Sequence, residues 1–593
     1  MPLAKVDDVN QKVFDCIVIG GGTAGLAAAV RLSEDPSFRV LVLEAGPLEN
    51  LGDPKIDIPA QFSSLIGDPQ YDWGFTTTKQ KYANNNQSYW PRGKGLGGSS
   101  ATNSYLWSKP PAADIDAFES LGNPGWNWAD YQRYSKKSET VHPPAKEQLN
   151  LYPHTFTTKS CGRSGPIQVT IPPHVHTVDK IFQETMVEKG FKTVDDPYGG
   201  DIIGTWIAAS NLDPKTWTRS YAANAYLLPV VDRTNLTIVT NSLVSRILFN
   251  EESNGRRTAS NVEFIHQSVK CNVKINMEVI LSAGAINSPQ ILELSGIGQP
   301  AVLSKIGVDA VVDLPGVGEN VQDHILISIP HELAPGTSHE TLDLLRDPIH
   351  AVKAKQLHTV GKGLHRTGLT SIAFFPLTST KFEGIPSLID DLEAEVDAKQ
   401  KAGQLPPGLE EQLHHQISAL RDDTIPDCEI LIWPGWSSPR TPEVGKQYIS
   451  PLACLNHPFS RGNIHATSTD PVISPEIDPH YFESKLDLEI LLLQLKFVRG
   501  LREVEPWKSG ILREVAPGSD CASDHDLREF IRNNIWSVLH TVGSCSMLPR
   551  EKHGVVDSRL KVVYGTTNLR VADLSIIPLH IAAHTQGEKD TEN

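Results

Sequence analysis

Cysteine is scarce and scattered in this chain of 593 residues, with seven in all: Cys16, Cys161, Cys271, Cys428, Cys454, Cys521 and Cys545. No two form a Cys-x-x-Cys pair. A disulfide framework is thereby excluded, and neither a metal site nor dithiol redox chemistry is expected. Positive charge is also in deficit. The 54 lysines and arginines face 70 acidic residues, a net charge of −16, so neither a nucleic-acid partner nor an anionic membrane surface is expected. No apolar run is long enough to span a bilayer. The opening stretch, MPLAKVDDVNQKVFD, has no apolar leader. The expectation is a cytoplasmic protein, or a secreted one whose leader has been removed. No repeat period is present. Glycosylation-type triplets begin at Asn86 and Asn235, but so short a pattern recurs by chance.

The composition that remains, 39% hydrophobic and 21% charged, is that of an ordinary globular protein. The length exceeds what one core supports, so two or more structural regions are expected. Residues 14–19 (FDCIVI) form a short apolar run rich in β-branched residues, the pattern of a buried strand. The run enters GGGTAG, then LAAAVRLSED, which has the composition of a helix packed closely on the strand. A second apolar run, RVLVL at 39–43, ends at Glu44. Gly20 permits the tight bend, Gly22 lets the backbone approach a pyrophosphate, and Gly25 lets the helix sit close to the sheet. The pyrophosphate then lies at the helix N-terminus, where free N–H groups favour negative charge. Glu44 is placed to accept hydrogen bonds from ribose hydroxyls and disfavours a 2′-phosphate. These residues specify a dinucleotide without separating FAD from NAD.

Further along, strands are expected at 235–239 and 278–282. A helix should follow at 288–294, started by Ser288-Pro289, because proline fits the first helical turn. Residues 380–423 are charged, helical in period and broken at Pro406-Pro407, which reads as a solvated helical hairpin or lid. CEILIW and YISPLACLN read as strands. Motif-dense sequence at both ends, with a less patterned middle, suggests a nucleotide domain assembled from separate segments. A second domain would be inserted between them.

Four blocks carry a resemblance to the glucose–methanol–choline (GMC) family of FAD-dependent oxidoreductases, in particular its fungal aryl-alcohol oxidase and alcohol dehydrogenase-like branch. They are the glycine turn with LVLEAG (41–46), PRGKGLGGSSATN (91–103), GAINSPQILELSGIG (284–298) with LPGVGENVQDH (314–324), and HTVGSCSM (540–547) with NLRVADLSIIPLHIAAHTQ (568–586). The resemblance runs over residues 15–586. It implies an α/β (overall α+β) architecture: a Rossmann-like FAD-binding domain with an inserted substrate-binding domain of sheet plus helices. The FAD-binding parts are expected at 1–165, 233–325 and 535–593, and the substrate-binding parts at 166–232 and 326–534.

By the same resemblance the cofactor residues are Gly20, Gly22, Thr23, Ala24, Gly25, Glu44, Arg92, Gly97, Gly98, Asn103, Val244, Asp573 and Thr585. Val244 would read the adenine through its backbone, and Asp573 would lie near the ribityl and pyrophosphate region through main-chain atoms. Ser295 and Gly298 would be structural. Some members attach FAD through a histidine in the second block. Thr102 stands at that position here, so the FAD is expected to be non-covalent.

Alcohol oxidation requires removal of the hydroxyl proton and transfer of a hydride to flavin N5, and a neutral imidazole suits the proton step. Among 21 histidines, the resemblance selects His540 as general base and His584 as the partner that holds the substrate oxygen. His580 is read as lining the pocket at best, and His324 as a packing residue. The implied partners are a small-molecule alcohol and oxygen or a quinone-type electron acceptor. Two features depart from the family pattern. LWSKP (106–110) stands where an Arg-Gly pair is usual, and the chain passes from Gln586 straight to GEKDTEN, so a final helix is expected to be shortened. The alternatives left open are a non-redox, FAD-holding lyase or cyclase, and a flavin-binding protein inactivated at its C-terminus.

Overall fold

The computed structural model describes residues 3–587, apart from 49–50, 145, 147–155, 173, 254, 337–338, 361 and 563. The apolar run near the N-terminus forms the strand Val13–Ile19, buried from Phe14 onward. It lies inside a seven-stranded sheet, with Leu236–Val239 and Val40–Leu43 on one side and Val269–Leu281 on the other. These four run parallel, with Cys16 opposite Val40 and Ile19 opposite Leu43 and Leu281. The long strand Val269–Leu281 pairs along its first half with Arg257–His266, which continues antiparallel to Ser242–Glu251. Its last residues pair with Leu569–Val571, also in parallel. The two ends of the chain thus complete one sheet.

Separate apolar cores cover its two faces. The carboxyl ends of the parallel strands open onto Gly20, Glu44, Ser282 and Ala572, the edge at which parallel sheets bind ligands.

A second, eight-stranded sheet is antiparallel. Its order is Ile511–Glu514, His331–Leu333, Tyr448–Leu455, Cys428–Trp433, Ser371–Phe375 and Gly204–Ile207. Ile325–Ser328 adds to Tyr448–Leu455, and Trp536–Ser537 adds to Ile325–Ser328. Side chains alternate across it. Cys428, Ile430 and Ile432 enter the largest core, while Leu431 and Trp433 belong to a smaller cluster on the opposite face. The expected hairpin is present as helices Ile385–Lys401 and Leu409–Arg421, which bury Ile389, Val396, Leu413 and Ile417 in the largest core. No helix among the described residues is long and apolar enough to cross a membrane.

One expected boundary is corrected. The helix expected to begin at Ser288-Pro289 spans Gly284–Leu294, with Pro289 inside it. A proline there cannot donate to the carbonyl four residues back, that of Ala285. The Ser544 hydroxyl donates to this carbonyl instead, at 2.6 Å. A side chain from the C-terminal segment therefore makes an internal proline tolerable. The unusual LWSKP also has a local account. Lys109 is buried against an equally buried Glu139 at 2.7 Å, and the same carboxylate accepts from Trp107 Nε1 at 2.8 Å.

Candidate active site

Two adjoining cavities meet at Thr23, Arg92, Ser99 and Leu539. The first follows the carboxyl edge of the parallel sheet. Gly20, Gly22, Thr23 and Ala24 line it from the turn and the start of the helix Thr23–Leu32. Gly20 has φ +102°, and a Cβ there would stand 2.5 Å from the Ser282 carbonyl oxygen. A Cβ on Gly98, at φ +50°, would meet Gly22 Cα at 2.9 Å, so the two glycine segments close on each other across the helix N-terminus.

Glu44 lines the same cavity and is buried. Its carboxylate accepts N–H bonds from Gly21 and Gly46 at 2.7 Å and from Gly95 at 3.1 Å. Burial raises its pKa, against the pull of those three donors. Ser282 Oγ, also in the wall, is buried without a hydrogen-bond partner among the described residues. Converging N–H groups, an acidic group and an unsatisfied hydroxyl along an elongated cleft fit the phosphates and sugars of a dinucleotide.

Arg92, Gly98, Val244 and Asp573 complete the set of expected residues in this wall. The Asp573 carboxylate accepts from Gly284 N–H, Ser288 Oγ and Ser575 N–H, so its side chain is largely engaged within the protein. Gly25 and Gly97 stand behind the wall. A Cβ on Gly25 would approach Gly20 O to 2.0 Å, which places it at the helix–strand contact. Gly97 gives its N–H to Gly21 O and faces the Tyr221 ring. Asn103 and Thr585 line the second cavity.

That second cavity, of about 210 Å³, has an apolar body and a polar end. Leu326, Leu431 and Leu452 reach it from the second sheet, and Phe62 and Leu369 lie in the same wall. His540 and His584 stand at the polar end, with ring centroids 4.8 Å apart and planes nearly perpendicular. Segments 44 residues apart in sequence therefore converge on one point. His584 Nε2 donates to Glu429 Oε1 at 2.9 Å, and both side chains are buried. Its backbone N–H is held by Ser108 Oγ at 2.8 Å.

The environment of His540 fixes its proton by elimination. His324 Nε2 lies 2.8 Å from the Asn456 carbonyl, which can only accept, so that nitrogen carries hydrogen. Burial, together with His580, His540 and other nearby histidines, holds the His324 pKa well below the usual value, so its ring is neutral. Its Nδ1 is then an acceptor, and His540 Nδ1, 2.9 Å away, is the donor. A neutral His540 thus has its lone pair on Nε2. His580 is neutral for similar reasons. Burial lowers its pKa to about 3, it donates from Nε2 to the His540 carbonyl at 2.8 Å, and it accepts from Ile581 N–H. It stacks on His324 at 3.5 Å and stands outside the cavity wall.

The backbone around His540 is held by Asp323. This buried carboxylate accepts from His540 N–H at 3.0 Å, and from Tyr481 and Ser537 hydroxyls at 2.6 Å each. Leu539 is forced to φ +68°, and its N–H bonds to Ser537 Oγ. Sequence reading missed Glu429, Asp323 and the part played by His324. A signal existed for Glu429, because CEILIW places one charge inside an apolar strand, where a buried acid needs a partner. His324 and Asp323 sit next to each other in QDH, but no local pattern aims them at residue 540.

Family models for the N- and C-terminal parts of GMC oxidoreductases match residues 14–326 and 458–588. A GMC oxidoreductase family protein, Mala s 12 of Malassezia sympodialis, is 35% identical over 98% of this chain and 91% of its own length. Among solved structures, an FAD-dependent oxidoreductase from Chaetomium thermophilum superposes with TM-score 0.89 at 29% identity, covering 98% of this chain and 97% of that one. A fungal aryl-alcohol oxidase does so with TM-score 0.85 at 28% identity and the same coverage.

Proposed function

We propose that this chain, which belongs to the GMC oxidoreductase family and shares its FAD dependence, oxidises an apolar primary or secondary alcohol to the carbonyl compound with His540 as base. The observation that carries the reading is the His324–His540 bond, which assigns the proton of His540 to Nδ1 and its lone pair to Nε2. That nitrogen takes the hydroxyl proton as the C–H bond is broken, and general-base assistance of this kind is worth about 10²–10⁴ in rate. His584, its Nε2 engaged by Glu429, positions the substrate oxygen from the other side.

FAD would be held by Gly20, Gly22, Thr23, Ala24, Glu44, Arg92, Gly98, Val244 and Asp573 along the first cavity and by Asn103 and Thr585 in the second, with Gly25 and Gly97 shaping the wall from behind. It would supply the hydride acceptor, with oxygen or a quinone-type compound as the final electron acceptor. Thr102 offers no imidazole for attachment, so the cofactor is non-covalent. The leucine-rich wall selects the substrate. It can bury an aromatic or branched apolar body. The nucleotide part comprises 1–165, 233–325 and 535–593, and the substrate part 166–232 and 326–534, with Trp536–Ser537 lending one strand to the substrate sheet.

The test is anaerobic addition of an alcohol panel to the yellow protein, followed by flavin absorbance. Benzylic and other apolar primary alcohols should bleach it while choline and glucose leave it oxidised. Oxidised flavin with every alcohol would refute the reading.

A further inference from the structure

Beneath the helical hairpin lies a third cavity, of about 520 Å³, which shares no wall residue with the other two. Its apolar side is the hairpin itself, through Leu392, Val396, Leu405, Leu409 and Leu413. Charge enters the wall from the hairpin and from the side facing it, and each carboxylate in it already has a cation. Glu395 pairs with Lys399 at 2.7 Å, Glu483 with His480 at 3.1 Å, and Glu319 with His465 at 3.2 Å. Lys552 is paired as well, with Glu411.

Arg461 is different, because all its hydrogen bonds go to neutral acceptors. Nε donates to Asn320 Oδ1 at 2.9 Å, Nη1 to the Pro458 and Ser460 carbonyls at 2.7 and 3.3 Å, and Nη2 to Gln416 Oε1 at 2.6 Å. A guanidinium has five N–H groups, so one is left over. The carboxylate whose field reaches it, Asp487, is held by the N–H groups of Phe459 and Ser460 and by the Ser460 hydroxyl.

Two further wall atoms, Gln412 Oε1 and Ser484 Oγ, are buried without a partner among the described residues, and Gln412 is only 3% exposed. Gln412 lies one helical turn from Gln416, on the same face of the helix. A half-buried cation whose hydrogen bonds all go to neutral acceptors, in one cavity with an acceptor that has no donor, is an unfavourable combination that a complementary ligand would relieve.

We propose that this cavity binds a small carboxylic acid with an apolar body and a hydroxyl group. The carboxylate accepts from Arg461 and from the Ser484 hydroxyl, the ligand hydroxyl donates to Gln412 Oε1, and the body lies on the hairpin leucines.

The probe is 4-hydroxybenzoate, added to the FAD-loaded protein and followed by hydrogen–deuterium exchange. Exchange should slow in peptides from 385–421 and 458–462. The uncharged 4-hydroxybenzamide should require about tenfold or more higher concentration for the same protection. Arg461→Gln should weaken the protection by a similar factor. Leu405→Trp, which projects an indole from the hairpin side into the space of the ligand's apolar body, should abolish it and keeps the test decisive if the arginine variant does not fold. Protection that survives Leu405→Trp, that is confined to peptides around 537–541 and 580–586, or that is absent altogether would overturn the proposal.

Discussion

Around the nucleotide much of the wall is local backbone: the turn at Gly20 and Gly22, the facing Gly98, and the strand ends at Ser282 and Asp573. Around the substrate they are side chains from distant places. His540 and His584 come from the C-terminal segment, Glu429 from the middle of the second sheet, and Leu326 from a strand that follows the third sequence block. The first arrangement can be encoded in a run of neighbouring residues, because glycine acts through local conformation and close approach. The second needs the whole fold before any two of its groups meet. Substitutions on the two sides should therefore fail differently: glycine changes through cofactor content and folding, side-chain changes through rate in a protein that keeps its flavin.

The largest effect should come from Gly25→Ala. Its Cβ would lie 2.0 Å from Gly20 O, and overpacking of this kind costs about 1–3 kcal/mol or more. The expected outcome is protein that fails to accumulate or purifies colourless, read from its flavin-to-protein absorbance ratio. Normal flavin content would break the comparison on the nucleotide side. On the other side, Glu429→Gln removes the carboxylate that orients His584. It should slow anaerobic flavin reduction by about 10- to 100-fold, the worth of a charged hydrogen bond, at unchanged FAD content. Lost flavin would show that Glu429 holds the fold and not the reaction.

His324→Gln should have a smaller effect, about three- to tenfold on flavin reduction, with a displaced acid limb in the pH–rate profile. A packing role alone would lower the melting temperature and leave that limb in place. A separate effect is that of pH on stability. Burial alone would lower the His457 pKa, but the Asp114 and Asp427 carboxylates, 3.1 and 3.5 Å away, raise it to about 10. Folding therefore binds this proton more tightly than the unfolded chain does. The stabilisation is complete below the ordinary histidine pKa of about 6.5 and is lost as pH rises toward 10. Asp114 also accepts the Ala582 N–H, which ties His457 to the segment bearing His584. Melting temperature should fall between neutral and alkaline pH, and His457→Gln should flatten that decline.

The same contrast explains what the sequence made legible. The order of strand, glycine turn, helix, strand and Glu44 could be read directly, and so could the helical hairpin, because each is a local pattern. The start of the helix containing Pro289 is not legible locally, since the Ser544 hydroxyl that satisfies Ala285 comes from 259 residues away. His324 looked like packing because its role depends on two carbonyl and imidazole contacts made only in the folded chain. Gly97 was grouped with Gly98 by motif, although only Gly98 reaches the cavity wall. The expectation for the C-terminal helix concerns residues from 588 onward, outside those described.

The most direct test of the central claim is anaerobic flavin reduction by an apolar primary alcohol in His540→Ala, compared with the wild-type protein at equal FAD content. The account predicts that the variant keeps its flavin and is reduced at least about 100-fold more slowly, as loss of a general base requires. Reduction at near wild-type rate would contradict it and remove His540 from the proton step.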